Sequence, residues 1–211
     1  MKSLIVPIAI ALSALALPAC GRNSNERSEP DANLAGRDNA AMAENAAASA
    51  APALAPLIQL IDTTGSGVGS IEPSESAKEV TLKLTINRLP AGTHAIHLHE
   101  VGRCDPEVGF ATAGAHWNPA GRKHGRDNPA GSHLGDLANI EVSGSGNTTT
   151  TVVLAGIRYG AGDHKLADAD GTSIVIHAKP DDYKTDPSGD SGDRVACAVL
   201  APPARMAHPA Q

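Results

Sequence analysis

The sequence predicts an all-β domain, eight short antiparallel strands closing into a sandwich or barrel with long loops between some of them. Three observations carry this. Twenty-one glycines and fifteen prolines break the chain at short intervals, as a turn-rich β architecture requires. Aromatic residues are only 2% of it, so a core has to be built from Val, Ile, Leu and Ala. Val80–Leu89 alternates apolar and polar residues with period two, the mark of a half-buried strand, and the other segments between turns are short and strand-like.

The chain has 211 residues, a formal net charge of −6 and 41% hydrophobic residues. That suits one soluble domain with non-globular additions. The acidic balance argues against a nucleic-acid partner.

Residues 1–20 read as an export signal. Lys2 supplies the positive start, and Leu4 to Leu17 is an apolar stretch too short for a comfortable membrane span. It ends in Leu17-Pro18-Ala19-Cys20-Gly21, which resembles the lipobox of bacterial lipoproteins. Cys20 would then carry lipid and anchor the chain without spanning the membrane. An ordinary signal peptide beside an unmodified cysteine is the alternative. Residues 21–56 are rich in Ala, Asn, Ser, Glu and Pro without apolar periodicity, the composition of a disordered tether. The globular domain is expected over 57–201, and residues 202–211 read as a loose tail.

The domain opens with two short strand-like runs, Leu57–Asp62 and Gly67–Ile71, across a Gly/Ser turn. Val80–Leu89 alternates most clearly, with Val80, Leu82, Leu84 and Ile86 on one face and Thr81, Lys83, Thr85 and Asn87 on the other. Pro90-Ala91-Gly92 turns the chain into Thr93–Glu100. Leu137–Ser143 and Thr148–Leu154 flank Gly144-Ser145-Gly146-Asn147, a hairpin turn. Ser173–Ala178 and Val195–Leu200 complete the set, and residues 100–136, 155–171 and 179–194 are long loops.

The first loop carries the chemistry. Within 40 residues stand His97, His99, His116, His124, His133 and Asp136. Imidazole nitrogen suits copper and zinc, and a carboxylate oxygen also suits zinc. A lone histidine is usually solvated or satisfied in a core, but six such groups in one loop-rich segment make a metal site. His97 and His99 are two apart, so they share one face of a strand while Ile96 and Leu98 face the core. A metal there would sit outside a sheet, wrapped by the loop. In Ser173–Ala178, His177 likewise stands opposite Ile174 and Ile176 and can join the other two if the strands are neighbours.

The motifs H-x-H-E-x-G-x-C (97–104), A-G-A-H-W-N-P (113–119), R-K-H-G (122–125), H-L-G-D-L (133–137), I-V-I-H-A (174–178) and G-D-R-V-A-C-A-V (192–199) resemble copper,zinc superoxide dismutase. The resemblance covers about residues 57–201. It implies an eight-stranded Greek-key barrel that converts superoxide to dioxygen and hydrogen peroxide through a histidine-bound copper, beside a structural zinc.

Carried over residue by residue, copper falls to His97, His99, His116 and His177, and zinc to His116, His124, His133 and Asp136. His116 bridges the two metals and also moves a proton. Asp181 matches the carboxylate that holds His97 and His124, and Arg194 the arginine that guides the anionic substrate. Lys179 and Lys184 are candidate helpers. With Cys20 given to lipid, the resemblance pairs Cys104 with Cys197, a bond suited to an exported protein. The implied location is the periplasm, on an outer-membrane lipid anchor. His94, His164 and His208 have no assigned role, and subunit pairing, a homodimer included, is left open. The competing class is an exported copper/zinc-binding protein without turnover.

Overall fold

The computed structural model describes residues 57–204. The export signal, Cys20, the tether to residue 56 and the tail from 205 onward lie outside the described residues, and His208 with them. Among the described residues there are nine strands: β1 Ile58–Asp62, β2 Gly67–Glu75, β3 Glu79–Ile86, β4 Gly92–His94, β5 Ile96–His99, β6 Ile140–Val142, β7 Thr148–Ala155, β8 Thr172–His177 and β9 Arg194–Ala201. Seven form one curled antiparallel sheet in the order β5-β8-β9-β1-β2-β3-β7, and β4 pairs with β6 apart from it.

The turn between β1 and β2 is organised by Asp62. Its Oδ1 accepts the backbone N–H groups of Thr64 at 2.9 Å and Ser66 at 3.0 Å. β2 outlasts its predicted end at Ile71 and runs through Pro73 to Glu75. Pro73 offers no N–H, but the ladder to β1 has already ended at the Ile58–Ile71 pair, so nothing on that side requires one. β3 buries Val80, Leu82, Leu84 and Ile86 completely. These side chains join Leu60, Ile71, Ile96, Leu98, Ile174, Ile176 and Leu200 in the main core.

Two expectations need correction. The single strand predicted over Thr93–Glu100 is two strands in two sheets. The break falls at Ala95, whose N–H donates to Lys179 O and whose carbonyl accepts from His177 N, both at 2.9 Å. Those bonds turn the chain away from β6 and lay it against β8. The Gly144–Asn147 turn forms, with Gly146 at φ 76° and its N–H on Ser143 O at 2.8 Å. Its flanking strands nevertheless do not form a ladder with each other: β6 pairs with β4 and β7 with β3. Side chains take the bonds across the turn, with Ser143 N donating to Thr148 Oγ1 at 3.0 Å. The sheet therefore curls into a half-barrel that stays open between β6 and β7.

Candidate metal centre

Strand pairing places the first histidines. β5 and β8 are antiparallel neighbours, with Ile96 opposite Ile176 and His97 opposite Val175. His177 is the last residue of β8 and lies opposite Arg194 of β9. Ile96, Leu98, Ile174 and Ile176 enter the main core, so the histidines stand on the other face, as their spacing predicts.

The long loop is pinned over that face. It bridges back to β5 twice, pairing His99 with His116 and His97 with Asp136. Trp117 N donates to Leu98 O at 2.8 Å and Leu98 N to Gly135 O at 2.9 Å. The loop also contains two single-turn 3-10 helices, Pro106–Val108 and Ala111–Ala113. Under this cover His97, His99 and His124 are 0% exposed, and His116, His133 and His177 are also buried.

Each ring on the β5/β8 side has one nitrogen engaged and one free. His97 Nε2 bonds Asp181 Oδ2 at 2.8 Å, His99 Nδ1 bonds Gly114 O at 3.0 Å, and His177 Nδ1 stands 3.2 Å from Gly192 O. His116 Nδ1 meets Asp136 Oδ1 at 3.1 Å. The opposite atoms, His97 Nδ1, His99 Nε2, His116 Nε2 and His177 Nε2, are buried without a hydrogen-bond partner among the described residues. These four residues offer ligand atoms within 4.8 Å of one another. Four orphaned lone pairs converging in a buried place are costly unless a cation takes them.

A second set adjoins the first through His116. The Nδ1 atoms of His116, His124 and His133 lie 3.1, 3.0 and 3.1 Å from Asp136 Oδ1. Donors about 2.0–2.1 Å from a zinc ion stand about 3.3–3.4 Å apart along the edges of a tetrahedron, so the three distances to Asp136 Oδ1 are close to those edges, while the group whose ligand atoms all lie within 4.8 Å of one another takes His97 rather than His133 beside His116, His124 and Asp136. Asp136 Oδ2 is held separately by the N–H groups of Gly125 at 2.9 Å and His133 at 3.0 Å. His97 also falls within ligand reach of His116, His124 and Asp136. Its Nε2 is committed to Asp181, which leaves its free Nδ1 to the first set.

The electrostatics of the first set suit cation binding. Burial holds His99 well below the ordinary histidine range, reinforced by the nearby His116 and Arg194. Burial and the neighbouring His97 push His177 down to about 3. Burial lowers His116 to about 4 against the pull of Asp136. These rings stay neutral, with lone pairs available. His124 differs: burial opposes its charge, yet bonds to Asp136 and Asp181 outweigh this and raise it to about 9. Burial works against both carboxylates too, but imidazole and backbone donors hold Asp136 and Asp181 below the usual carboxylate range.

Asp181 is the buried link between the sets, bonding His97 through Oδ2 at 2.8 Å and His124 through Oδ1 at 3.0 Å. The adjacent Asp182 is exposed and caps Lys184 N and Thr185 N instead, each at 2.8 Å. Arg194 is half-buried at the mouth. Its guanidinium donates to Phe110 O and Gly114 O, both at 2.7 Å. It lines an open cavity of about 340 Å³ with His99, His116, His177 and Ser188. Lys179 and Lys184 are not among the residues lining that cavity; both are exposed, and Lys179 Nζ lies 4.0 Å from Asp190. Cys104 and Cys197 form a disulfide, with Cα atoms 5.7 Å apart, tying the covering loop to β9.

Residues 66–200 match the family described as copper/zinc superoxide dismutase (SODC). The chain belongs to the copper/zinc superoxide dismutase family. A copper–zinc superoxide dismutase of Aquifex aeolicus is 41% identical over 144 residues, covering 67% of this chain and 84% of that protein. One from Caulobacter vibrioides is 42% identical over 139 residues, covering 64% of this chain and 79% of that protein. The crystal structure of a SOD-like protein from Bacillus subtilis superposes with a TM-score of 0.64 at 34% identity, covering 68% of this chain and 97% of that one. Copper and zinc are the metals of this family, and the histidine clusters described above could hold metal ions.

Several residues that serve this dismutase fold carry no motif. Asn139 grips the backbone of Asp181 with both ends of its amide, accepting from Asp181 N at 2.9 Å and donating to Asp181 O at 3.0 Å. Gly189 sits at φ +67°, where a Cβ would overlap the Asp181 carboxylate and the His124 ring. Phe110 has φ 62° and turns its carbonyl to Arg194 while its buried ring packs with Val175 and Cys197. His94 is buried, with its ring nitrogens 2.7 Å from His177 O and 2.9 Å from Pro90 O. The partners of these residues lie too far along the chain for spacing to expose them.

Proposed function

We propose that the chain disproportionates superoxide at this centre, with copper held by His97, His99, His116 and His177 and zinc by His116, His124, His133 and Asp136. The single observation that carries the reading is the set of four buried, partnerless ring nitrogens, one of them on the ring that also faces Asp136. When bound, copper supplies a one-electron couple and zinc a redox-silent charge that keeps the shared ring in place. Two superoxide anions and two protons give one dioxygen and one hydrogen peroxide.

The protein's own groups divide the remaining work. Arg194 draws the anion to the mouth and orients it, its planar guanidinium held in place by two carbonyls. His116 keeps its Nδ1 toward Asp136, and its Nε2, when not given to copper, would hold the proton that is handed to the reduced product. Asp181 fixes the rings of His97 and His124 and so sets which nitrogen each turns to a metal. The covering loop keeps bulk water from the buried rings.

The same reading places the protein outside the cytoplasm. Residues 1–20 act as the export signal, Cys20 carries lipid, residues 21–56 tether the domain at 57–201, and the anchor lies in the outer membrane facing the periplasm. The Cys104–Cys197 disulfide supports an oxidising compartment.

The test is the dismutation rate of the copper- and zinc-loaded chain, beside the metal-free chain and an Arg194→Ala variant. A fast, copper-dependent, salt-sensitive rate is expected. Arg194→Ala lowers it about tenfold or more and weakens its salt dependence, because steering of this kind raises on-rates by roughly 10–1000-fold. Tight metal uptake with no rate above that of free copper would instead establish a metal-binding protein without turnover.

A further inference from the structure

Ser191 lies on the loop before β9 and is fully buried. Among the described residues its hydroxyl has one hydrogen-bond partner, Nδ1 of His177 at 3.2 Å. The loop does not depend on that hydroxyl, because Ser191 is already held by its backbone, with its N–H on Ser188 O at 3.3 Å and its carbonyl accepting from Lys179 N at 2.9 Å. Burying a hydroxyl costs stability unless it is bonded. The only group there that answers it is the far nitrogen of a ring whose near nitrogen, Nε2, points into the donor cluster.

The ring's tautomer follows from this arrangement. If Nε2 gives its lone pair to a cation, the proton sits on Nδ1. That N–H then divides between two acceptors, Gly192 O and Ser191 Oγ, both at 3.2 Å. Acceptors on the far nitrogen fix the plane of a ligating ring and make its other nitrogen a better donor. A better donor favours the more highly charged state of a redox metal.

We propose that Ser191 is a positioning residue for copper: its hydroxyl shares the Nδ1–H of His177, sets that ring and biases the site toward oxidised copper. This rests on the assignment of His177 to copper made under Proposed function. Loss of such a partner ordinarily costs 10–100-fold in metal affinity. Because Gly192 O remains, Ser191→Ala is expected at the low end, about tenfold weaker for Cu(II). With Cu(I) held as before, tenfold corresponds to a rise of about 59 mV in a one-electron potential.

The experiment is a redox titration of the copper- and zinc-loaded full chain as wild type, Ser191→Ala and Ser191→Thr, with the Cu(II) electron paramagnetic resonance spectrum recorded for each. The expected result is a raised potential and an altered Cu(II) spectrum in Ser191→Ala, both returning toward wild type in Ser191→Thr, with zinc content and unfolding midpoint unchanged. A Ser191→Ala potential and spectrum equal to wild type would overturn the proposal. So would a shift that appears only together with zinc loss and a lowered unfolding midpoint, since that marks a merely structural role. A wild-type chain that takes up no copper defeats the copper assignment itself, and is told apart from the other outcomes before any variant is measured.

Discussion

Asp181 reaches both donor sets with one carboxylate, accepting from His97 on one oxygen and His124 on the other. An asparagine there keeps one acceptor and turns an amide N–H₂ toward the second ring's N–H. Asp181→Asn is therefore expected to free one ring and weaken zinc retention roughly 10–100-fold, read by competition with a coloured chelator. Gly189→Ala should act in the same direction by another route. Its Cβ would overlap the Asp181 carboxylate, and its backbone is left-handed, so the loop must shift and zinc retention fall while Asp181 itself is intact. Histidine and aspartate spacing made the ligand candidates legible in the sequence. Asn139 was not legible, because it acts on a backbone 42 residues away. Nor was the contact of Ser191 with His177, which depends on which ring nitrogen the hydroxyl meets.

Strand periodicity exposes β3 fully, since one face is core and the other is not. It does not expose the break at Ala95. That break depends on backbone bonds to Lys179 and His177, which leave the alternation of residues 93–100 undisturbed. The same limit explains the hairpin that is a turn without a ladder, where side-chain bonds at Ser143 and Thr148 replace pairing. The disulfide gives this scale its test. It closes a span of 93 residues between the covering loop and β9, worth about 4–5 kcal/mol on a chain-entropy account. Replacing Cys104 and Cys197 together by serine is expected to cost about 2–5 kcal/mol in urea unfolding. A cost near zero would mean that the packing of Phe110, Ala113 and Val175 holds the loop unaided.

At the scale of the whole molecule, the fold brings β5, β8 and two stretches of one long loop to a single buried place, then leaves four ring nitrogens there without partners among the described residues. Such an arrangement is most stable with its metals in place, because a ligand that binds only the folded state stabilises it. Removal of metal by a chelator is expected to lower the thermal unfolding midpoint by many degrees, and zinc alone should restore most of the loss through the His124, His133 and Asp136 side of the centre; differential scanning calorimetry reads both. The family's fold was legible because its motifs are spread along most of the domain, while the open side between β6 and β7 became apparent only in the structure. The central claim is that one shared histidine joins two metal sites, and native mass spectrometry of the metal-loaded chain tests it most directly. The account predicts one copper and one zinc per chain, with His116→Ala impairing the retention of both. A chain that holds a single metal, or a His116→Ala variant that retains both as tightly as wild type, would contradict it.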